Sequence, residues 1–535
     1  MTAPEYRTDV LVVGGGPTGL ATAMELAHHG VGAIVVEPRT EVSHLRPRAK
    51  TTSARTMELF RRWGLADEVR RRAPLHVDWA KDIVFCTTAT GREITRLTGT
   101  LGLALADGVA AEAGQQVPQP IVEEAMRDAL TGSEHVRLLL GHRAVLLEET
   151  PDEVAVTIED EEGVTSIVRA KYVVGADGPR SVVRAAMGSV YQGESQPLPN
   201  VSITFESAEL GDLIPHGNAV QYWVLNAGTP GIVGRLDLSG TWWAIATARP
   251  ADVADGVVSP ESLVTGLLGR DLPIKVIATD PWWSRTLIAD AYRKGRIFIA
   301  GDAAHQNPPW GGHGYNTGVG DAVNLGWKLA AVINGWAPVD LLDSYAAERR
   351  PIAEQFVATA AENGKTGPTT LAVEALTGTE AEFAAARPAV AEGIQTAKRI
   401  EFHSDGLVFG MGYGEAAARQ TTNGSDYLPV AAPGNRLPHR VLDDGTSLFD
   451  RLGRGFTVIG SAEAAAGLVG EAARRGVPLT VLDEPALGLA AFFGAELVLV
   501  RPDQYIAWMG GTPAETEAAD VLAAALRGFP RRETS

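Results

Sequence analysis

"DVLVVGGGPTGLATAMELAHHGVGAIVVEP", residues 9–38, is the stretch whose reading decides the fold. It opens with "DVLVVGG" (9–15), an apolar run rich in β-branched residues that reads as a buried strand. "PTGLATAMELAHHG" (17–30) then starts on proline and closes on glycine, the punctuation of a helix. "GAIVVEP" (32–38) is a second buried strand, ending on Glu37. Between strand and helix, Gly14, Gly16 and Gly19 spell GxGxxG. Such a loop is weak evidence by itself. Set between a strand and a helix, with an acid closing the next strand, it points to dinucleotide binding. Its glycines let the backbone approach a pyrophosphate, and the helix start offers free N–H groups to the negative charge.

Two further apolar strands end in the same way. "SIVRAKYVVGADGPRSVVR" (166–184) breaks at Ala-Asp-Gly, and "GRIFIAGDAAHQNPP" (295–309) breaks at Gly-Asp. Each break alone reads as a turn. Three of them after three buried strands would gather at one end of a parallel sheet, where doubly wound folds bind ligands. Directly after the third comes "NPPWGGHGYNTGVGDAVNLGWKL" (307–329), with two prolines and six glycines leading into a helix that carries Ala322, Leu325, Leu329 and Ile333 on one face. That helix should pack on the sheet and aim its N-terminus at the ligand.

Composition limits the alternatives. A chain of 535 residues, 45% hydrophobic, is long enough for two or three domains. The formal net charge of −18 opposes general nucleic-acid binding. One cysteine, Cys86, excludes an internal disulfide or a CxxC pair and suits a reducing compartment. No apolar run reaches membrane-spanning length and no leader pattern precedes the first strand, so the expectation is a cytoplasmic protein without membrane contact, monomeric or homodimeric. The histidines lack ligand spacing, and no metal is expected.

Together, GxGxxG with Glu37, "VVGADGPRSVVR", "GDAAHQNPP" and "GGHGYNTGVGDAVNLGWKL" resemble the single-component FAD-dependent aromatic hydroxylases of the p-hydroxybenzoate hydroxylase fold. Within them the chain is most similar to the bacterial aromatic polyketide hydroxylases, over most of its first 370 residues. The resemblance implies noncovalent FAD, NADPH or NADH as reductant, dioxygen as co-substrate, and hydroxylation of a polycyclic aromatic through a flavin C4a-hydroperoxide. Carried over by motif, Gly14, Gly16 and Gly19 would cradle the pyrophosphate and Glu37 the adenosine ribose. Arg46 and Arg48, in "LRPRAKTTSARTMEL" (45–59), would lie near the flavin or its phosphates, and Gln119 near the ribityl chain. Asp177 would serve FAD and nicotinamide, and Asp302 a ribityl hydroxyl. Backbone N–H groups of Gly314, Tyr315 and Asn316 would face the pyrimidine edge of the flavin, which the bare glycine backbone would allow. Pro308 and Pro309 would fix the loop beside C4a. His313 and Tyr315 replace the usual glutamine and leucine or methionine, which makes His313 a candidate proton donor or substrate contact.

The expected architecture is α/β: a Rossmann-like FAD-binding domain (1–75, 105–190 and 285–375), an antiparallel-sheet substrate domain (76–104 and 191–284) and a C-terminal thioredoxin-like domain (400–535) without CxxC. "VSITFESAEL", "AVQYWVLN", "GIVGRLDL" and "WWAIATAR" supply the substrate sheet. Tyr222, Trp223, Arg235, Trp242 and Trp243 are its candidates for lining a cavity, and the sequence does not say which face each occupies. A flavin-dependent halogenase is disfavoured because "TWWAIATARP" lacks a WxWxIP pattern. A Baeyer–Villiger oxygenation stays open as an alternative, as does a non-catalytic flavin-binding sensor or assembly protein.

Overall fold

The structure is a computed structural model that describes residues 4–247, 258–414, 424–483, 488 and 492–530, with the backbone alone at 196–199. Strand Glu5–Val13 lies at the centre of a parallel array. Ala33–Glu37 pairs with it on one side and Thr165–Gly175 on the other, Val13 standing opposite both Val36 and Gly175. Ile297–Ile299 extends the array beyond Gly175, and Val136–Leu140 extends it beyond Glu37. The three glycine breaks therefore leave one end of one sheet. Val10, Leu11, Val12, Val173, Val174 and Phe298 are wholly buried, because helices cover the strands.

Helix Pro17–His28 and the long helix Gly314–Ile333 pack closely together over this sheet. Their approach explains glycines that the sequence reading gave to the cofactor. A Cβ on Gly326 would stand 2.6 Å from the Glu25 side chain, and one on Gly318 would stand 2.3 Å from the Thr18 hydroxyl. A Cβ on Gly320 would meet the Arg349 guanidinium at 2.8 Å. Half of the six glycines thus serve helix packing, and only the earlier ones shape the loop.

A second sheet runs in the order His305–Gln306, Lys275–Ala289, Tyr191–Glu206, Thr241–Thr247, Gly231–Arg235, Gln221–Val224, Ile83–Cys86, Glu93–Leu97. It is antiparallel with one departure from the expectation, since Gln221–Val224 and Ile83–Cys86 run parallel. These two strands are far apart in the chain, so no hairpin dictates their direction. Register puts Trp223 opposite Ile232, Gly234 opposite Trp243 and Ile232 opposite Ile245, which places all five on one face. Tyr222, Val233, Trp242 and Ala244 take the other face, in a separate apolar core.

The C-terminal region has the element order β-α-β-β-β-α. Phe456–Ile459 pairs parallel with Leu479–Leu482 and antiparallel with Leu497–Val500, which pairs with Ile506–Gly510. Ala462–Arg475 and Glu515–Ala525 cover the sheet. Its seam with the rest of the chain is ionic and buried. Both Arg501 terminal nitrogens donate to Glu348 at 2.8 Å, and Lys328 Nζ donates to the same carboxylate at 2.8 Å. Arg501 also pairs with Asp503 at 2.6 Å, and Arg436 pairs with Glu58. Burial pushes the Glu348 carboxyl up, but Arg501 and Lys328 outweigh it and hold it below the usual carboxylate range.

Candidate functional site

A cavity of about 1000 Å³ connects the two sheets, bounded at one end by Gly14, Glu37 and Asp177 and at the other by Trp223, Trp243 and Phe402. At the first end, Gly14 has φ +108°, and a Cβ there would stand 2.3 Å from the Ala176 carbonyl oxygen. A Cβ on Gly19 would meet the Gly14 carbonyl at 1.9 Å. These two glycines are demanded by the protein itself. Gly16 is different, with nothing within 4 Å of where its Cβ would be, although it lines the cavity. The bare backbone at Gly16 leaves room that no protein atom uses, which is what a pyrophosphate on the helix start requires.

Glu37 ends its strand beside this loop, buried, and accepts from Gly15 N at 2.7 Å and from Arg39 Nε at 2.7 Å. Gln119 joins the arginine-bearing segment to its own helix: its Oε1 accepts from Ala49 N at 3.3 Å and its Nε2 donates to Glu123 at 2.7 Å. Arg46 and Arg48 line the cavity with exposed side chains, and Arg46 pairs with Asp280 at 3.2 Å. Asp177 caps the short helix Val182–Met187, taking the Val182 N–H at 2.7 Å and the Ser181 hydroxyl at 2.5 Å. Burial raises its carboxyl pKa against those hydrogen bonds. Asp302 opens onto the cavity, and its depth raises its pKa, opposed by His305 and Arg48.

The loop that carries Asp302 is tied to the long helix by residues the sequence reading passed over. Asp321 accepts from Gly301 N at 3.1 Å and from Arg349 Nε at 2.8 Å, and its Oδ2 lies 2.8 Å from His305 Nε2. Burial acts to raise the Asp321 pKa, yet Arg349 and His305 hold it down, so Asp321 is a fixed anion beneath the loop.

Gly314, Tyr315 and Asn316 form the first turn of the long helix, and the first N–H with an intrahelical acceptor is that of Thr317, to His313 O at 2.8 Å. The three N–H groups before it are free, as the ends of helices leave them. Gly314 and Tyr315 border the cavity. The Asn316 side chain turns away and pins the helix: its Oδ1 accepts from Ser53 N at 2.9 Å and from Thr56 at 2.8 Å, and its Nδ2 donates to Gly312 O at 2.8 Å. Pro309 lines the cavity on the loop before the helix, Pro308 accepting from Asn307 within it. His313 is buried, with its ring centroid 4.9 Å from that of Phe356 and no partner at Nε2 among the described residues. Burial lowers its pKa to about 4, so it faces the cavity as a neutral imidazole rather than a cationic proton donor.

At the sheet end, alternation splits the aromatic candidates. Trp223 and Trp243 line the cavity. Tyr222, Trp242 and Arg235 do not, and correct the broader expectation. The Tyr222 hydroxyl donates to Gly217 O at 2.6 Å, Trp242 Nε1 donates to Ser207 O at 3.2 Å, and Arg235 lies over the Trp242 ring at 4.9 Å, all on the opposite face. Among the cavity residues that went unnoticed in the sequence are Lys50, Trp310, Glu401 and Phe402. Trp310 and Phe402 pack on Trp223 at centroid distances of 5.9 and 5.5 Å.

A cavity that starts on a glycine loop at the carboxyl end of a parallel sheet and ends under a tryptophan-bearing second sheet defines a dinucleotide-dependent enzyme that works on a flat substrate. Residues 7–360 match the FAD binding domain family and residues 430–529 the aromatic-ring hydroxylase C-terminal family. The chain belongs to the FAD-dependent aromatic-ring monooxygenases and binds FAD. It is 32% identical to the tetracenomycin B2 monooxygenase-dioxygenase of Streptomyces olivaceus over 95% of this chain and 96% of that one. It is 31% identical to the 4-methyl-5-nitrocatechol 5-monooxygenase of a Burkholderia species, over 98% of each. RebC with bound 7-carboxy-K252c superposes with a TM-score of 0.89 at 32% identity, covering 98% of this chain and all of that one (100%). These relatives favour a monooxygenase over the sensor reading and lend no weight to a Baeyer–Villiger outcome. No helix among the described residues is long and apolar enough to cross a membrane.

Proposed function

We propose that this protein uses NADPH or NADH and dioxygen to hydroxylate a polycyclic, polyketide-type aromatic in the cavity beneath Trp223 and Trp243, in the cytoplasm and without nucleic acid or membrane as partner. The observation that carries this reading is the continuity of the cavity: one space of about 1000 Å³ holds both the dinucleotide loop and a wide aromatic wall. A multi-ring substrate covers both tryptophans, whereas a single ring leaves one of them wet.

FAD, when bound, supplies acceptance of hydride and activation of oxygen. The residues of this chain do the rest. Gly14, Gly16, Gly19, Glu37, Gln119, Asp177 and Asp302 would bind and orient the cofactor, with Arg46 and Arg48 at its phosphates. The free N–H groups at Gly314 and Tyr315 would favour negative charge at the helix start. Pro309 would hold the loop, and neutral His313 would close off water behind it. Trp223, Trp243, Trp310 and Phe402 would exclude water from the substrate ring and fix its plane. The labour divides with the sheets: residues 1–75, 105–190 and 285–375 hold the cofactor, 76–104 and 191–284 roof the substrate, and 400–535 brace the whole as monomer or homodimer.

The test is product formed per NADPH consumed, with product mass, for monocyclic phenols against tri- to pentacyclic hydroxyquinones. Tight coupling with a polycycle is expected. Tight coupling with phenol or p-hydroxybenzoate and none with any polycycle would overturn the substrate class. The relative that acts on 4-methyl-5-nitrocatechol makes this comparison a real one.

A further inference from the structure

Two lysines are set against the cavity tryptophans of the second sheet, Trp223 and Trp243, and they differ in one respect. Lys398 Nζ stands 4.4 Å from the Trp223 ring centroid, and it is neutralised from behind by Glu401 at 2.6 Å and Asn363 O at 3.2 Å. Lys50 Nζ stands 4.3 Å from the Trp243 ring centroid and has neither a carboxylate nor a hydrogen-bond acceptor among the described residues. Both placements are rigid. Lys50 accepts Val117 N at its carbonyl at 2.8 Å and precedes the ladder of Thr51 and Thr52 with Gln116 and Gln115. The Trp243 ring lies against the backbone at Gly234, where a Cβ would meet it at 2.4 Å. An ammonium held against an indole face at the cavity wall, half-buried and without an anion among the described residues, has its open side toward the space a substrate would fill. Burial lowers its pKa to about 8 with no charged neighbour contributing. A π-face attracts a cation but does not replace a counter-ion.

We propose that Lys50 is a specificity-determining residue that anchors an anionic oxygen of the substrate, a phenolate, enolate or carboxylate carried on the ring system that lies against Trp243. The inference rests on the polycyclic-substrate reading above and names the chemical group that reading leaves open. Seated on Lys50, an ionised hydroxyl keeps its ring electron-rich and fixes which edge faces the cofactor end of the cavity. A neutral isostere loses the charge-assisted bond to the ammonium.

The experiment measures binding of anthracene-2-carboxylate and anthracene-2-carboxamide to the FAD-loaded protein, by perturbation of the flavin absorbance and by calorimetry, in wild type, Lys50→Met, Lys50→Gln and Lys50→Arg. FAD content, measured in every variant, normalises the comparison. The wild type should prefer the carboxylate at least tenfold, either neutral variant should lose that preference, and Lys50→Arg should keep part of it. Equal wild-type affinity for the two compounds, or an undiminished preference in both neutral variants, would overturn the role of Lys50 alone. Binding of neither compound by the wild type would overturn the polycyclic reading beneath it.

Discussion

Around the seam with the C-terminal region, Glu348, Arg501, Asp503 and Lys328 satisfy one another at 2.6–2.8 Å without solvent. Around the cavity, several polar groups stand idle among the described residues: Lys50 has no anion, His313 Nε2 has no partner, and the N–H groups of Gly314 and Tyr315 have none within their helix. Both places lie against the same long helix, whose first turn borders the cavity and whose Asn324 and Lys328 belong to the seam. One end of the helix is complete in the protein alone. The other is completed by what binds there, and that contrast separates a structural network from a site.

The contrast can be broken most forcefully at the seam. Glu348→Gln removes the carboxylate shared by Arg501 and Lys328 and should cost about 3–5 kcal/mol, read by denaturant unfolding. A loss under about 1 kcal/mol would mean that the seam is not a buried ionic lock. Acid should act on the same groups. Glu348, Glu58 and Asp321 have pKa values held down in the fold, so their stabilisation is present above the ordinary values, 4.5 for the glutamates and 3.8 for the aspartate, and is lost as pH falls below them. Unfolding midpoints should therefore drop below about pH 4.5, and Glu348→Gln should flatten that dependence.

At the cavity, expected effects are smaller on stability and larger on the cofactor. Asp302→Ala should weaken FAD binding by about 1.5–3 kcal/mol, the value of a hydrogen bond to a charged group. Equilibrium dialysis showing unchanged affinity would remove Asp302 from the site. Gly16→Ala sharpens the comparison, because its Cβ meets no protein atom. Apoprotein stability should stay within about 0.5 kcal/mol of wild type, while FAD affinity falls about tenfold, or 1.4 kcal/mol. The smallest effect belongs to Cys86→Ser. The thiol is buried, its pKa is raised by burial, and it already points at Trp223 O at 3.6 Å, which a hydroxyl can use. Turnover should persist with a stability change of about 1 kcal/mol. Loss of turnover with FAD retained would give the thiol a role it lacks here.

Legibility in the sequence followed the range of the physics. GxGxxG, Asp-Gly and Gly-Asp were readable because a backbone turn after a strand is local. The side-chain parity of Tyr222–Trp223 and Trp242–Trp243 was not, since period-2 alternation says that neighbours oppose each other but not which face meets the cavity. Register settled it for Trp223 and Trp243. Glu401 and Phe402 carried no local signal at all, because they reach the cavity from a short helix, Arg399–Phe402, far along the chain from the cofactor motifs. Asn316 was legible as a residue, but its work as a pin against Ser53 and Thr56 depends on a contact across most of the domain.

The pairing of the first strand carries a consequence for biosynthesis. Glu5–Val13 is flanked by Ala33–Glu37 and Thr165–Gly175, and that second neighbour pairs in turn with Ile297–Ile299. Strand Glu5–Val13 therefore waits for Thr165–Gly175, made much later, and parallel pairings of such separation form slowly. The loop around Asp302 cannot be fixed until Asp321 has followed, nor the seam until Arg501 has emerged. FAD can thus bind its finished pocket only after these late segments have emerged, and by mass action its supply then governs how much of the newly made chain stays folded.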